Sequence, residues 1–361
     1  MVKPKQKKKS LFSRLTFTVA AIVMAALLCL SYVAMVVNPA RAWWMTLFGL
    51  MYLPFLLGAV FFFFWGLLRR AWVPSTILLA VILPSIILIG RYFQLNGNPA
   101  DGSRGDIKMV SYNVGLFANG RGAFKDMPRR ELADKTCEYL RSLDADVICL
   151  QEFYIPSDQN IDVSLKKSFP GYKAEYYVYT GEKGRMGNVI LTRFPVVGRG
   201  HIDFDRSTNM AIYADLNVRG TRFRVYNCHF ESYNISLSHL VKTIRNSGAV
   251  EENGRKMRRS ILVRPRQVDE VMANIDACRE QAFVVGDFND NPLSYTYHRL
   301  SRDRRDAFVE VGKGFGATHA ALWPMLRIDY ILYPESLEAR WYNREDARFS
   351  DHFPIVSSFL K

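Results

Sequence analysis

The chain has 361 residues, with 48 Lys and Arg against 34 Asp and Glu. That length permits one large domain or two ordinary ones. Residues 1–100 hold ten basic residues and no acidic ones, so of the 48 basic residues 38 remain to face all 34 acidic ones in 101–361, a net of +4. Most of the formal +14 therefore flanks apolar segments. The C-terminal part lacks the broad positive field of a nucleic-acid-binding domain.

A basic head, Lys3 to Lys9, opens the chain. Three apolar spans follow without an internal charge, at about 15–37, 42–68 and 72–90. Each is near or above the roughly 20 residues that cross a hydrocarbon core as a helix. Phe61–Trp65 and Trp43-Trp44 suit an interface or a lipid-facing surface. A cleaved leader ending at Ala40-Arg41-Ala42 is the competing reading. The first apolar stretch exceeds the roughly 7–15 residues of a signal peptide, and two more spans follow it. Residues 1–91 are thus expected to be a membrane anchor of three transmembrane helices. The head and Arg69-Arg70 outweigh Arg41 and Arg91, which places the N-terminus in the cytoplasm. The C-terminal part then lies outside a cell inner membrane, in the periplasm or beyond.

Residues 92–106 read as a linker rich in Asn, Gly and Ser. From 107 the composition is that of a soluble α/β domain running to 361. Apolar or alternating runs predict strands at 107–114, 147–150, 172–179, 188–192, 211–218 and 221–229, then near 283, 327–332 and 354–360. Helices are expected over 129–143 and 266–278. The five cysteines, Cys29, Cys137, Cys149, Cys228 and Cys278, form no CxxC pair. Zinc is therefore not indicated, free buried thiols are the plain reading, and no disulfide can be assigned.

The chemistry sits at the ends of these runs. Asn113 ends Val-Ser-Tyr-Asn, Glu152 follows Cys-Leu-Gln, and His229 lies in Asn-Cys-His-Phe-Glu-Ser. Asp287 and Asn289 lie in Val-Gly-Asp-Phe-Asn-Asp, Asp329 in Arg-Ile-Asp-Tyr-Ile-Leu, and Asp351 and His352 in Ser-Asp-His-Phe-Pro-Ile. Taken singly, Asp287 and Asn289 fit a polar turn as well as a site. Asp329 is harder to dismiss, because a carboxylate within an apolar strand is costly without a partner. Polar residues at so many strand ends point to one cleft.

In this order, and with Gly187-Asn-Val-Ile-Leu-Thr-Arg-Phe-Pro-Val196 between them, the motifs resemble the endonuclease/exonuclease/phosphatase family over residues 105–361. The resemblance implies a four-layer α/β sandwich, two packed mixed sheets flanked by helices, and metal-dependent hydrolysis of a phosphate ester. By that resemblance Glu152, Asn113 and Asp351 hold Mg²⁺ or Mn²⁺, and hard oxygen ligands suit both ions. Asp287 activates the attacking water, Asn289 donates to phosphate or nucleophile, His229 and His352 face the phosphoryl oxygens, and Asp329 pairs with His352. Gly115 stands where abasic-site endonucleases carry an acidic residue, and His229 where they use other groups. Both differences point away from abasic-site repair.

Three function classes remain open. One is a membrane-anchored phosphoesterase acting on a lipid or a small phosphorylated compound. The second is an anchored nuclease, and the third a non-catalytic binding module. The complete motif set argues against the last. The basic segment 235–266 is either a solvated helical insertion or a lip for an anionic substrate, and Thr318 or His319 is a candidate substrate contact. The expected partners are the bilayer and a phosphate ester; no protein partner can be inferred.

Overall fold

The computed structural model describes residues 11–96, 105–181, 184–205, 207–233, 247–321 and 324–361. The basic head, Lys242, Arg245 and the linker stretch 97–104 lie outside them. Two compact units divide at Ile89 and Gly90.

The first unit is helical: α1 (Leu11–Val33), α2 (Met45–Leu50), α3 (Tyr52–Leu68), α4 (Trp72–Ile82) and α5 (Ser85–Leu88). The expectation of three continuous spans is not met. One helix, Phe12–Val33 with 22 residues, is long and apolar enough to cross a membrane. The second span is broken at Met51, leaving α3 with 17 residues. The third bends by 42° between α4 and the segment from Ser85. Pro84 sits at that bend, and its missing N–H removes a helical hydrogen bond. Tyr32 ties α1 to the α4–α5 bend by its hydroxyl, 2.8 Å from the Val81 carbonyl and 2.7 Å from Ser85 Oγ.

The second unit is α/β. In chain order it comprises β1 (Phe93–Leu95), β2 (Ile107–Asn113), α6 (Arg129–Ser142), β3 (Val147–Pro156), α7 (Ile161–Ser168), β4 (Lys173–Thr180), β5 (Gly184–Thr192), β6 (Val196–Asp203), β7 (Met210–Val218) and β8 (Thr221–His229). It continues with α8 (Ser247–Asp276), β9 (Gln281–Asp287), α9 (Tyr295–Leu300), β10 (Arg304–Asp306), α10 (Ala307–Val311), β11 (Lys313–Phe315), β12 (Asp329–Pro334), β13 (Glu338–Arg344) and β14 (Ile355–Leu360). Two six-stranded sheets result, ordered β13-β14-β2-β3-β5-β4 and β10-β12-β9-β8-β7-β6. Each is mixed: β2 runs parallel to β3, and β8 parallel to β9. Within the segment read as a linker, β1 pairs with β11.

The apolar runs are continuous because both faces of each sheet are covered. Met109, Cys149 and Ile190 of the first sheet pack against Ile212, Val225, Phe283 and Val285 of the second. The outer face of the first sheet packs on α6 and α7 through Cys137, Leu140, Ile161 and Leu165. That of the second packs on α8 through Val268, Val271, Met272 and Ile275. The four-layer sandwich expected from the sequence is therefore the observed one. All five cysteines are free thiols.

Helix α8 departs from its expected start at 266, because it runs through Pro265. Its buried face from Ile261 to Ile275 explains the continuity, since packing outweighs one lost backbone bond.

Polar side chains stitch the two sheets together beneath one end. Asn227 on β8 is fully buried and donates to the carbonyls of Leu150 and Val189, each at 2.9 Å. Gln151 donates to Asn227 Oδ1 at 2.7 Å. Asn188 on β5 donates to the Met210 and Asn227 carbonyls at 3.2 and 3.1 Å. Asn227→Ala would leave the Gln151 amide only its 3.3 Å contacts to Ser111 Oγ and the Cys149 carbonyl and would take a donor from two further carbonyls. It is expected to cost about 3 kcal/mol, read as a lower urea midpoint of the purified chain; a loss under about 1 kcal/mol would mean that the sheets do not need this tie.

Candidate functional site

The site forms where the sheet ends meet. The parallel pairs β2–β3 and β8–β9 finish at the same end of the sandwich. The antiparallel strands β12 and β14 begin there, so Asp329 lies opposite Asp287 in register, and His229 also pairs with Asp287. Seven of the eight expected residues thus come from strand ends or from the loops beside them. Glu152 is the exception. It sits inside β3 at an irregularity between Leu150 and Phe153, with φ 51°. A left-handed Glu is uncommon and is held by its surroundings. Asn289 also has φ 51°. Gly286, just before Asp287, has φ +129°, and a Cβ there would collide with the Cys228 carbonyl of the neighbouring strand. Only glycine presents Asp287 from that position.

Asp287 is the hub. Asn113 Nδ2 donates to its Oδ2 at 3.0 Å and to Glu152 Oε1 at 3.1 Å. The Asn289 backbone N–H donates to Asp287 Oδ1 at 2.8 Å. His352 Nε2 stands 3.7 Å from Asp287 Oδ2, and His229 Nε2 stands 3.8 Å from the same oxygen and 3.6 Å from Glu152 Oε1. His229 Nε2 is buried and has no hydrogen-bond partner among the described residues. A buried polar atom left in that state inside a cleft awaits a ligand or water.

The second histidine differs. His352 Nδ1 lies 3.0 and 3.2 Å from the two oxygens of Asp329. Thr318 Oγ1 in turn accepts from the Asp329 and Ile328 backbone N–H groups, each at 3.0 Å. Burial would disfavour charge on His352, but Asp329 foremost, with Asp287, pushes its pKa up to about 10. Burial raises the Asp287 carboxyl above its ordinary range and Asp329 adds to this, while His352, His229 and Asn113 oppose it. Burial also works against a charged Asp351, yet the His319 and His352 rings hold its carboxyl well below the usual range.

Asn113 and Glu152 are joined directly. Asp351 instead interacts with Asn119 Nδ2 at 3.3 Å, Ser350 Oγ at 3.2 Å and His319 Nε2 at 3.6 Å. Asn289 commits a side-chain N–H to the Phe230 carbonyl at 2.9 Å, which braces the turn after His229. The donor set fits a hard divalent cation: carboxylates crowd one cleft, and among the described residues Glu152 has only His229 within ion-pair distance.

Two residues gain a role the sequence did not reveal. Arg264, grouped with the basic lip, points inward: it is 1% exposed and pairs with Asp290 at 3.0 Å. It also donates to the Glu231 carbonyl at 2.7 and 2.9 Å. It therefore clamps the turns after His229 and Asp287. Arg255, Lys256, Arg258, Arg259 and Arg266 are exposed on α8, as a solvated face would be. The other missed residue is Asn119, which bonds Asp351.

Asp329→Asn would remove the main support for the His352 charge. The His352 pKa is expected to fall from about 10 toward 6.5, followed by NMR of the imidazole signals. An unchanged titration would place the support elsewhere.

The endonuclease/exonuclease/phosphatase family profile matches residues 110–352. A second profile, for a domain of unknown function (DUF8431), matches residues 13–92. No curated protein matches the chain. Three similar solved structures are the human Nocturnin catalytic domain with bound sulfate and two proteins titled endonuclease/exonuclease/phosphatase, from Bacteroides vulgatus and Beutenbergia cavernae. The Nocturnin domain is 17% identical over 70% of this chain and 92% of its own, with TM-score 0.52. The Bacteroides protein is 16% identical over 71% and 99%, with TM-score 0.51. The Beutenbergia protein is 16% identical over 70% and 71%, with TM-score 0.51. At such identities the likeness is one of fold.

Proposed function

The chain belongs to the endonuclease/exonuclease/phosphatase family of metal-dependent phosphoesterases, and from that premise we propose that it is a membrane-anchored hydrolase cleaving a phosphate ester by direct attack of water. The observation that carries this reading is Asp287, buried at the meeting of both sheets with two imidazole Nε2 atoms 3.7 and 3.8 Å from one oxygen.

Asp287 is the group that takes the proton of the attacking water. Asn113 and the Asn289 N–H fix its carboxylate so that it need not reorganise. His229 offers an unspent Nε2 to a phosphoryl oxygen. His352, kept charged by Asp329, offers a second donor and balances the negative charge that grows on phosphorus oxygens. Glu152, Asn113 and Asp351 are the residues that would hold Mg²⁺ or Mn²⁺. When bound, the ion neutralises phosphoryl charge as it develops. No acceptor for a covalent phosphoryl intermediate is invoked.

The apolar helix Phe12–Val33, with the basic head before it, supports an anchor with a cytoplasmic N-terminus and an α/β domain outside. That arrangement favours a lipid phosphate or a small phosphorylated compound over nucleic acid, as does the low net charge of residues 101–361. A reporter fused after Lys361 that works in the cytoplasm would overturn the orientation.

The detergent-purified full chain is expected to hydrolyse bis-p-nitrophenyl phosphate or p-nitrophenyl phosphate with Mg²⁺ or Mn²⁺ and to stop in EDTA. Asp287→Asn should lower kcat about 10²–10⁴-fold with the unfolding midpoint kept. Parallel assays on plasmid DNA and on phospholipid or sphingolipid vesicles divide the substrate classes. DNA nicking lost in the variant would make the protein an anchored nuclease. Full activity in Asp287→Asn would remove the water-activation role.

A further inference from the structure

His319 has no role in the chemistry above, yet it borders the site. Its segment is strapped to the one carrying Asp351 and His352. The Phe353 N–H donates to the Thr318 carbonyl at 2.7 Å, and the Ala320 N–H to the Asp351 carbonyl at 2.8 Å. The ring stands edge-on to His352, with centroids 4.7 Å apart and planes at 84°. Its side chain keeps 20% of its surface open.

His319, Asp351 and His352 lie close enough together to suggest a cation site. The hydrogen bonds contradict this. The Ala321 backbone N–H donates to His319 Nδ1 at 3.1 Å. An amide N–H cannot accept, so Nδ1 carries the lone pair and the ring proton sits on Nε2. His352 Nδ1 faces the Asp329 carboxylate and carries a proton there. The lone pair of His319 is thus spent inside the protein. Among the described residues its Nε2–H reaches only Asp351 Oδ2, at 3.6 Å, too far for a good hydrogen bond. The two rings of the cluster present donors rather than ligands, which leaves the Asp351 carboxylate as its one ligating group.

We propose that His319 is a substrate-contacting donor whose fixed Nε2–H binds a phosphoryl oxygen beside His352, and that it biases the site toward a terminal phosphomonoester. The inference rests on the phosphoesterase reading. A terminal phosphate has three non-bridging oxygens and a diester has two. His229, His352 and His319 provide three imidazole donors, which match a monoester one per oxygen, whereas on a diester two of them must share an oxygen.

The test compares His319→Ala, His319→Gln and His319→Asn in the full chain. Gln places an N–H near the position of ring Nε2. Asn keeps an acceptor for the Ala321 N–H and has no donor that reaches the cleft. The ratio of kcat/KM for p-nitrophenyl phosphate over that for bis-p-nitrophenyl phosphate should fall about ten-fold or more in Ala and Asn, the worth of a hydrogen bond to a charged group. Gln should recover most of it. Mg²⁺ affinity by titration calorimetry is followed in all three, because His319 also contacts the Asp351 carboxylate and an outer partner of a ligand can be worth about ten-fold or more in metal affinity. Equal losses on both esters, or none, would overturn the proposal. So would an ester ratio that falls only in step with Mg²⁺ affinity across all three variants, which would make His319 a support of the Asp351 carboxylate and not a substrate contact. If the parent chain hydrolyses neither ester, the phosphoesterase reading fails by itself. Inorganic phosphate binding with Mg²⁺ then decides: weakened in Ala and recovered in Gln supports the donor role, and unchanged binding removes it.

Discussion

The site exists because two separate sheets end at the same height, and buried amides hold them there. The Asn113 side chain belongs to the first sheet and bonds Asp287 of the second at 3.0 Å. Sliding one sheet past the other by a residue would part Asn113 from Asp287 by about 3.3 Å. The apolar core between the sheets does not prevent such sliding, because dispersion and hydrophobic burial are non-directional. The hydrogen bonds of Asn227, Gln151 and Asn188 are directional, and they lie directly beneath the site. In a dry interior a stranded amide is costly, so only one relative position of the sheets satisfies all of them.

That fixed frame allows the crowding of carboxylates above it. Asp287 and Asp329 are buried, and Glu152 and Asp351 border them with part of their surface open. Folding alone would drive such groups apart or neutral. Two imidazoles and the Asn113 amide offset part of the repulsion, and a divalent cation offsets more. The burial that strains the folded state also leaves Asp287 a stronger base than a solvated aspartate. The two histidines are set apart by one carboxylate: Asp329 pushes the His352 pKa up, while His229 Nε2 has no hydrogen-bond partner among the described residues. A site with two like residues in unlike states can bind an anion with one and respond to it with the other.

What the sequence makes legible is what depends on neighbours along the chain. Asp287 follows Gly286 at a strand end, Asp329 begins an apolar run, and Asp351-His352 precedes another, so the motifs and the sandwich are readable from local pattern. Features set by distant partners are not. Arg264 reads like the other basic residues of its segment, and only the fold shows that its charge meets Asp290 in the interior. Pro265 reads as a helix start, and only the packing of Ile261 and Val268 carries the helix across it. Glu152 reads as a residue after a strand, whereas it occupies a left-handed kink within a longer one. The three apolar spans are equally apolar as sequence, but hydropathy does not register the break at Met51 or the bend at Pro84.

His319 shows how a tautomer can be decided far from the titrating group itself. Nothing in Gly-Ala-Thr-His-Ala-Ala identifies a donor. The Thr318 hydroxyl caps the start of β12, which sets Asp329 against His352, and the same turn brings the Ala321 N–H onto His319 Nδ1. One short loop therefore orients both imidazoles, one through a carboxylate and the other through a backbone amide. A carboxylate partner lets a ring hold or release a proton. An amide partner removes that choice and leaves a donor of fixed direction. Recognition of a phosphate needs such donors, and water activation needs a base near them. The fold keeps the two tasks on different elements, with Asp287 on a buried strand and His319 on the rim.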